Sequence, residues 1–161
     1  MSYHVRRKDL EITDEPSLKK VMKTAKYVTI AMCKDNQPYL VSLSQGYDEE
    51  RNCVYFHCFP EGKKIDYLKS NNIVWGQAMI DSGYIYGECD HYYASVHFSG
   101  KVTFLESLEE KRQAIICMMR HLEKDPEPLI SRLNLEKLGK TTIGRIDIES
   151  MTGVKSKRVV I

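Results

Sequence analysis

Hydrophobic and polar positions divide the chain into six stretches with strand character and four with helical spacing. Leu18, Val21, Met22 and Ala25 fall on one helical face. Thr13 or Asp14 can cap that helix, and Pro16 is tolerated in its first turn. Tyr27 to Cys33 (YVTIAMC) reads as a strand, Lys34 to Gln37 as a turn, and Tyr39 to Tyr47 as a second strand. There Val41, Leu43 and Gln45 face one way and Leu40, Ser42 and Ser44 the other. A hairpin turn over Asp48 to Asn52 leads to a third strand, Cys53 to Cys58, broken by Pro60 and Gly62. A short helix follows, with Ile65 and Leu68 on its apolar side and its end near Asn71. Ile73 to Ile80 is a strand carrying the only tryptophan, Trp75; Asp81 to Asp90 reads as a loop, and His91 to Leu105 as a long strand. Ser99-Gly100 within it predicts a bulge or sharp bend.

Ser107 to Glu110 fits a capping box. It opens a helix with Leu108, Ile115, Met118 and Leu122 on one face, ended by Pro126 and Pro128. Leu129 to Leu138 is a shorter helix stopped by Gly139. Thr141 to Glu149 is the last strand, residues 151–161 form a tail, and residues 1–12, with Arg6-Arg7-Lys8, a polar arm. Consecutive short strands with helices appended predict an antiparallel barrel; a doubly wound sheet would alternate strand and helix.

The 161 residues suffice for one domain with a substantial core. At 42% hydrophobic and 29% charged residues the chain is globular in composition, without a run long enough to span a membrane. No apolar N-terminal segment predicts a secretion signal. Five cysteines without C-x-x-C spacing fit reduced thiols and a cytoplasmic location. A formal charge of +2 without a long basic run argues against a nucleic-acid partner. Cys89-Asp90-His91 and His57-Cys58 are the nearest approach to metal ligands. Neighbours on a strand point to opposite faces, and zinc-type spacing is lacking, so no metal site is predicted. Neither a phosphate-binding P-loop nor a dinucleotide fingerprint is present.

The chemistry concentrates at the short helix. Lys63 and Lys64 occupy its first turn. Free backbone N–H groups there favour an anion, whereas cations at that end are disfavoured by the helix dipole. The pair is locally unfavourable unless an anion such as phosphate occupies the site; the alternative is two solvated surface lysines.

QPYLVSLSQGYD (37–48), VYFHCFPEGKKIDYLKSNN (54–72), YASVHFSGKVTFLES (93–107) and the Glu109-Glu110-Lys111 helix start stand in an order that resembles the FMN-binding split-barrel superfamily. That superfamily includes pyridoxamine 5′-phosphate oxidase, and the chain looks closest to its nitroimidazole-resistance reductase branch. The resemblance runs from the Arg6-Arg7-Lys8 arm to Thr152-Gly153. It implies a mainly β fold, a six-stranded antiparallel split barrel with appended helices, and a homodimer with FMN between its subunits. By the same resemblance, Lys63 and Lys64 hold the FMN phosphate. The backbone of Val41, Ser42 and Leu43 reads the isoalloxazine edge, and His57 and Cys58 lie beside the ring. His57 is the candidate catalytic residue, and Ser95 reaches the flavin from the partner chain. Trp75 or Tyr93 would line the pocket. The C-terminal Trp and Arg that complete the substrate site of pyridoxamine phosphate oxidases find no match, and Val154 precedes Lys155 where the family places a basic residue after Thr-Gly.

The expected function is that of an FMN-dependent oxidoreductase reducing a small electrophilic molecule such as a nitroaromatic. Two alternatives stand beside it. One is a non-catalytic flavin or haem binder, with His57, His91 and His97 as candidate haem ligands. The other is a deazaflavin-dependent reductase on the same barrel.

Overall fold

The computed structural model describes residues 5–161. Eight strands, β1 (Glu11–Ile12), β2 (Tyr27–Lys34), β3 (Gln37–Ser44), β4 (Gly46–Asp48), β5 (Cys53–Cys58), β6 (Ile73–Ile85), β7 (Asp90–Phe104) and β8 (Thr142–Lys155), form one sheet. Five helices decorate it: α1 (Glu15–Thr24), α2 (Lys63–Ser70), α3 (Leu108–Leu122), α4 (Glu127–Ser131) and α5 (Leu135–Gly139). The order is β3-β2-β6-β7-β8-β5-β4, with β1 pairing β8, and every pairing is antiparallel. The ends of that order, β3 and β4, are consecutive in the chain. The sheet therefore curls back on itself, and β3 touches β5 without a hydrogen-bonded ladder between them. This is the split barrel the resemblance implied, with eight strands in place of six.

Local chemistry explains the corners. Asp35 and Asn36, both at positive φ (50° and 58°), make the two-residue turn between β2 and β3, a conformation whose twist suits a hairpin. Gln45 breaks the next strand into β3 and β4. Its buried amide donates to the Met22 and Ala25 carbonyls at 2.9 and 2.7 Å, which pins the corner to the end of α1. Asp14 caps α1 by accepting from the Ser17 N–H at 2.8 Å, and Val21 and Met22 are fully buried against the sheet. Burial of two such side chains contributes roughly 3–6 kcal/mol before entropy is counted.

The barrel interior holds Val28, Ile30, Val54, Phe56, Ala78, Val96, Phe98 and Ile146. A second cluster, including Cys53, Tyr55, Ala114, Met118, Leu138 and Ile143, lies outside β5 under α3 and α5. Gly46 allows that contact, because a Cβ there would stand 2.7 Å from the Met118 backbone. Ser107 caps α3 by accepting from the Glu110 N–H at 3.1 Å.

Four local expectations are corrected. The segment 81–90 is not a loop: β6 continues to Ile85, and Tyr84 and Ile85 pair with His91 and Asp90 after a register shift beyond Asp81. The C-terminal tail enters the sheet, since β8 runs to Lys155 opposite Ala94. The helix expected over 129–138 is two short helices, the second capped by Asn134. Within the N-terminal arm, residues 1–4 lie outside the described residues; Lys8–Leu10 form a 3-10 turn and β1 pairs with Gly153 and Val154. The bend at Ser99-Gly100 is present, as a register shift in which Glu149 of β8 is the extra residue.

The end of α3 is held by His121. Its Nε2–H donates to the Ala25 carbonyl at 2.8 Å, and its Nδ1 accepts from the Tyr47 N–H at 3.5 Å. Burial, aided by Lys26, lowers its pKa despite the bond to Ala25. A histidine held neutral in the fold contributes stability above its ordinary pKa near 6.5 and loses it as pH falls through the lowered folded value. Melting temperature should therefore fall between pH 7.5 and 5.5, and fall less in His121→Gln, which cannot charge. Equal slopes in the two proteins would rule His121 out as the cause.

Candidate functional site

The site is organised by the entry to α2. Gly62 stands at its N-cap with φ 120°, a conformation side-chain-bearing residues rarely adopt. No side chain caps this end, in contrast to α1, α3 and α5, which use Asp14, Ser107 and Asn134. The first intrahelical bond is Asp66 N–H to the Gly62 carbonyl at 3.1 Å, so the N–H groups of Lys63, Lys64 and Ile65 have no acceptor within the helix. Lys63 Nζ lies 4.5 Å from the centre of the Tyr39 ring and 5.5 Å from that of Tyr67. Lys64 Nζ lies 5.8 Å from that of Phe56. Among the described residues neither ammonium forms an ion pair, whereas Lys19, Lys23, Lys101 and Lys140 all do.

Lys64 opens onto a cavity of about 560 Å³ that also meets His57, Cys58 and Phe59. His57 and Cys58 end β5, opposite Ile143 and Thr142 of β8. Cys58 turns toward the barrel core, where burial pushes its thiol pKa up and Lys64 opposes the shift. His57 is exposed on the other face, and no hydrogen bond holds its ring among the described residues. The far wall is Lys137, Lys140 and Thr141. These sequence reading missed. Their only local signal is two lysines three apart, Lys137 on α5 and Lys140 just after it, and nothing local reveals that this segment packs against β5. No carboxylate lines the cavity, so three ammonium groups make it electropositive. A larger hollow of about 820 Å³ beside α3, with Asp48, Glu49, Arg112 and Arg120 on its walls, contains none of the expected site residues.

The remaining candidates separate by face. Val41 and Leu43 point into the barrel core. Ser42 points outward, and its hydroxyl is 2.8 Å from that of Thr29. Because β3 ends the strand order, alternate peptide groups of Val41 to Leu43 point away from β2 into the split. Ser95 is buried on β7, in register with Met79 and Val154. It lies three strands from β3 in the sheet order, and on the β5 side it faces Val154, at the opposite end of β8 from the Thr142 that faces Cys58. Trp75 is likewise absent from the His57 cavity. It lines a hollow of about 200 Å³ on the outer sheet face, with Leu40, Gln77 and His97. The Tyr93 N–H and carbonyl both bond the Ser156 hydroxyl. His97 Nε2 lies 3.0 Å from the Gln77 amide, and His91 Nε2 bonds Asp81 at 2.7 Å. Among the described residues no cluster is arranged to hold a metal, and no helix is long and apolar enough to cross a membrane.

The donor set fits a phosphate ester. Open N–H groups, two unpaired ammonium groups and an edge strand facing the split supply charge and directional donors without a competing carboxylate cap. Comparison with known proteins agrees with the fold. A family profile described as pyridoxamine 5′-phosphate oxidase matches residues 14–155. The solved structure of a candidate 5-nitroimidazole antibiotic resistance protein from Bacteroides thetaiotaomicron is similar at 25% identity and TM-score 0.76, covering 94% of this chain and 95% of that one. A FAD-binding protein from Mesorhizobium loti is 24% identical, with TM-score 0.63 and coverage of 89% and 95%. A flavocytochrome from Azotobacter vinelandii is 12% identical, with TM-score 0.78 and coverage of 96% and 72%. The latter two likenesses are of fold. No curated protein matches the sequence significantly.

Proposed function

The chain belongs to the pyridoxamine 5′-phosphate oxidase family, and from that premise we propose that it binds a flavin through its FMN portion and acts as an oxidoreductase on a small electrophilic substrate. The observation that carries this reading is the uncapped start of α2 with two lysines unpaired by any carboxylate among the described residues. Lys63, Lys64 and the first N–H groups of α2 would hold the phosphate. The free peptide edges of Val41 to Leu43 would orient the ring system, and Cys58 would bound it from β5. When bound, the flavin supplies the electron chemistry. His57 lines the cavity with its ring unbonded among the described residues, and it would deliver a proton from a ring nitrogen to the substrate or orient it.

The proposal includes a second copy of the chain. The outer face of β3, β2 and β6 exposes Leu40, Tyr27, Trp75, Ile73 and Met79, interleaved with Thr29, Ser42 and Gln77, an apolar set that a second copy would cover. A partner laid on that face would bring its own Ser95 toward the flavin and exclude water from the pocket.

The absorption spectrum of the freshly purified protein tests the cofactor, followed by separate titrations with FMN, a deazaflavin and haem. Flavin bands that saturate at one per chain are expected. Uptake of deazaflavin or haem with indifference to FMN would keep the fold and overturn the cofactor.

A further inference from the structure

We propose that the cavity between β5 and α5 is a subsite for an adenosine diphosphate moiety, so that the flavin this chain prefers is FAD rather than FMN. The inference rests on the flavin reading above and extends it to residues that reading leaves unused. Lys63 and Lys64 diverge. Lys63 turns to Tyr39 and Tyr67, while Lys64 opens onto the 560 Å³ cavity, a volume within the ordinary range for small-molecule sites.

On the cavity's other wall stand Lys137 and Lys140. Lys140 shares its charge with Glu136 at 2.8 Å. Lys137 has no carboxylate partner among the described residues. Charge spread in this way, from Lys64 at one side to Lys137 and Lys140 at the other, suits two linked phosphates better than one. The shelf is also fixed in place. Leu138 between the two lysines is buried in the second core, Asn134 caps the helix, and Lys111 Nζ donates to the Gly139 carbonyl at 2.8 Å.

The fourth wall is Phe59, 86% exposed at the end of β5. A phenyl ring at a cationic cavity gains nothing from water. It offers a flat apolar face on which a purine can stack. Cations for a diphosphate, with an aromatic platform beside them, are the recognition elements of an adenosine diphosphate group. The same group occurs in FAD and in free nicotinamide dinucleotides, and continuity with Lys64 at α2 assigns it to the flavin's own tail.

The test is a pair of titrations of the flavin-stripped protein with FMN and with FAD, in the wild type and in K137A/K140A. FAD is expected to bind at least about tenfold more tightly than FMN, the ordinary contribution of one charge-assisted contact. The double variant is expected to lose that advantage while its FMN affinity, which also reports intact folding, stays unchanged. Equal affinity for the two flavins in the wild type would overturn the proposal, as would a double variant that weakens both alike. ADP-ribose added to the FMN-loaded protein separates the two sources. Binding that needs Lys137 and Lys140, without a preference for FAD, would give the subsite to a free dinucleotide and overturn the assignment to FAD. A protein that takes neither flavin would overturn the flavin reading itself, a result distinct from equal binding of both.

Discussion

Replacing Lys63 and Lys64 together with alanine is expected to weaken flavin binding by about two orders of magnitude or more and to leave the apoprotein at least as stable as before. Each ammonium–phosphate contact contributes roughly 1.5–3 kcal/mol, and tenfold in affinity corresponds to about 1.4 kcal/mol. The stability half of the expectation distinguishes a binding role from a structural one. Both lysines stand at the positive end of α2, where the dipole opposes them, and alanine is the better helix former. What alanine removes from the apoprotein is the contact of Lys63 with Tyr39 and Tyr67 and of Lys64 with Phe56. Such contacts contribute about 0.5–1 kcal/mol at exposed sites, offset by the gain in helix propensity together with relief of two cations from the dipole, about 0.3–1 kcal/mol each. Flavin fluorescence titration and a melting curve of the stripped protein measure the two halves. Unchanged affinity would remove the phosphate from α2, and a large loss of stability would make the lysines structural.

The start of α2 was legible because its signal is local: a strand-breaking Pro60 and Gly62, then two cations where a helix disfavours them. The facing of β3 was legible for the same reason, since alternation alone sends Val41 and Leu43 inward and Ser42 outward. The lengths of the long strands were not. Between Asp81 and Asp90 two glycines and the acids have the composition of a loop. They extend as a ribbon only because β7 supplies partners, Tyr84 facing His91 and Ile85 facing Asp90. Gly153 likewise looks like a strand's end, yet it lies inside β8. A Cβ there would stand 2.4 Å from Leu18, so its bareness serves the packing of α1 on the sheet. Gln45 gave no sign of a corner, because its two bonds go to carbonyls twenty and more residues away. The α5 wall of the cavity was invisible for the same reason: α5 reaches β5 through tertiary packing around Leu138 and Ile143, to which no local pattern refers.

A variant that cannot pair with a second copy is expected to bind no measurable flavin, although every residue of the phosphate site remains in place. Leu40→Glu with Trp75→Glu is the suitable change. Both side chains lie on the outer face, 63% and 49% exposed, so the monomer loses little packing, whereas two carboxylates buried in an apolar contact would cost several kcal/mol. The parts of the site are separated within one chain. Lys63 and Lys64 stand at the split beside β3 and β5, while Ser95 stands on β7, across β2 and β6 from β3 and at the opposite end of β8 from Thr142, the partner of Cys58. In a pocket built by one chain the ring face opposite β3 would meet water. In a pocket built by two, the partner's outer face would cover it, and pairing and binding would stabilise one another by mass action. Sedimentation of the stripped and loaded proteins, with flavin titration of each variant, measures both. A proven monomer that retains one flavin per chain at wild-type affinity would place the whole site within a single subunit, and Ser95 would then have no part in it.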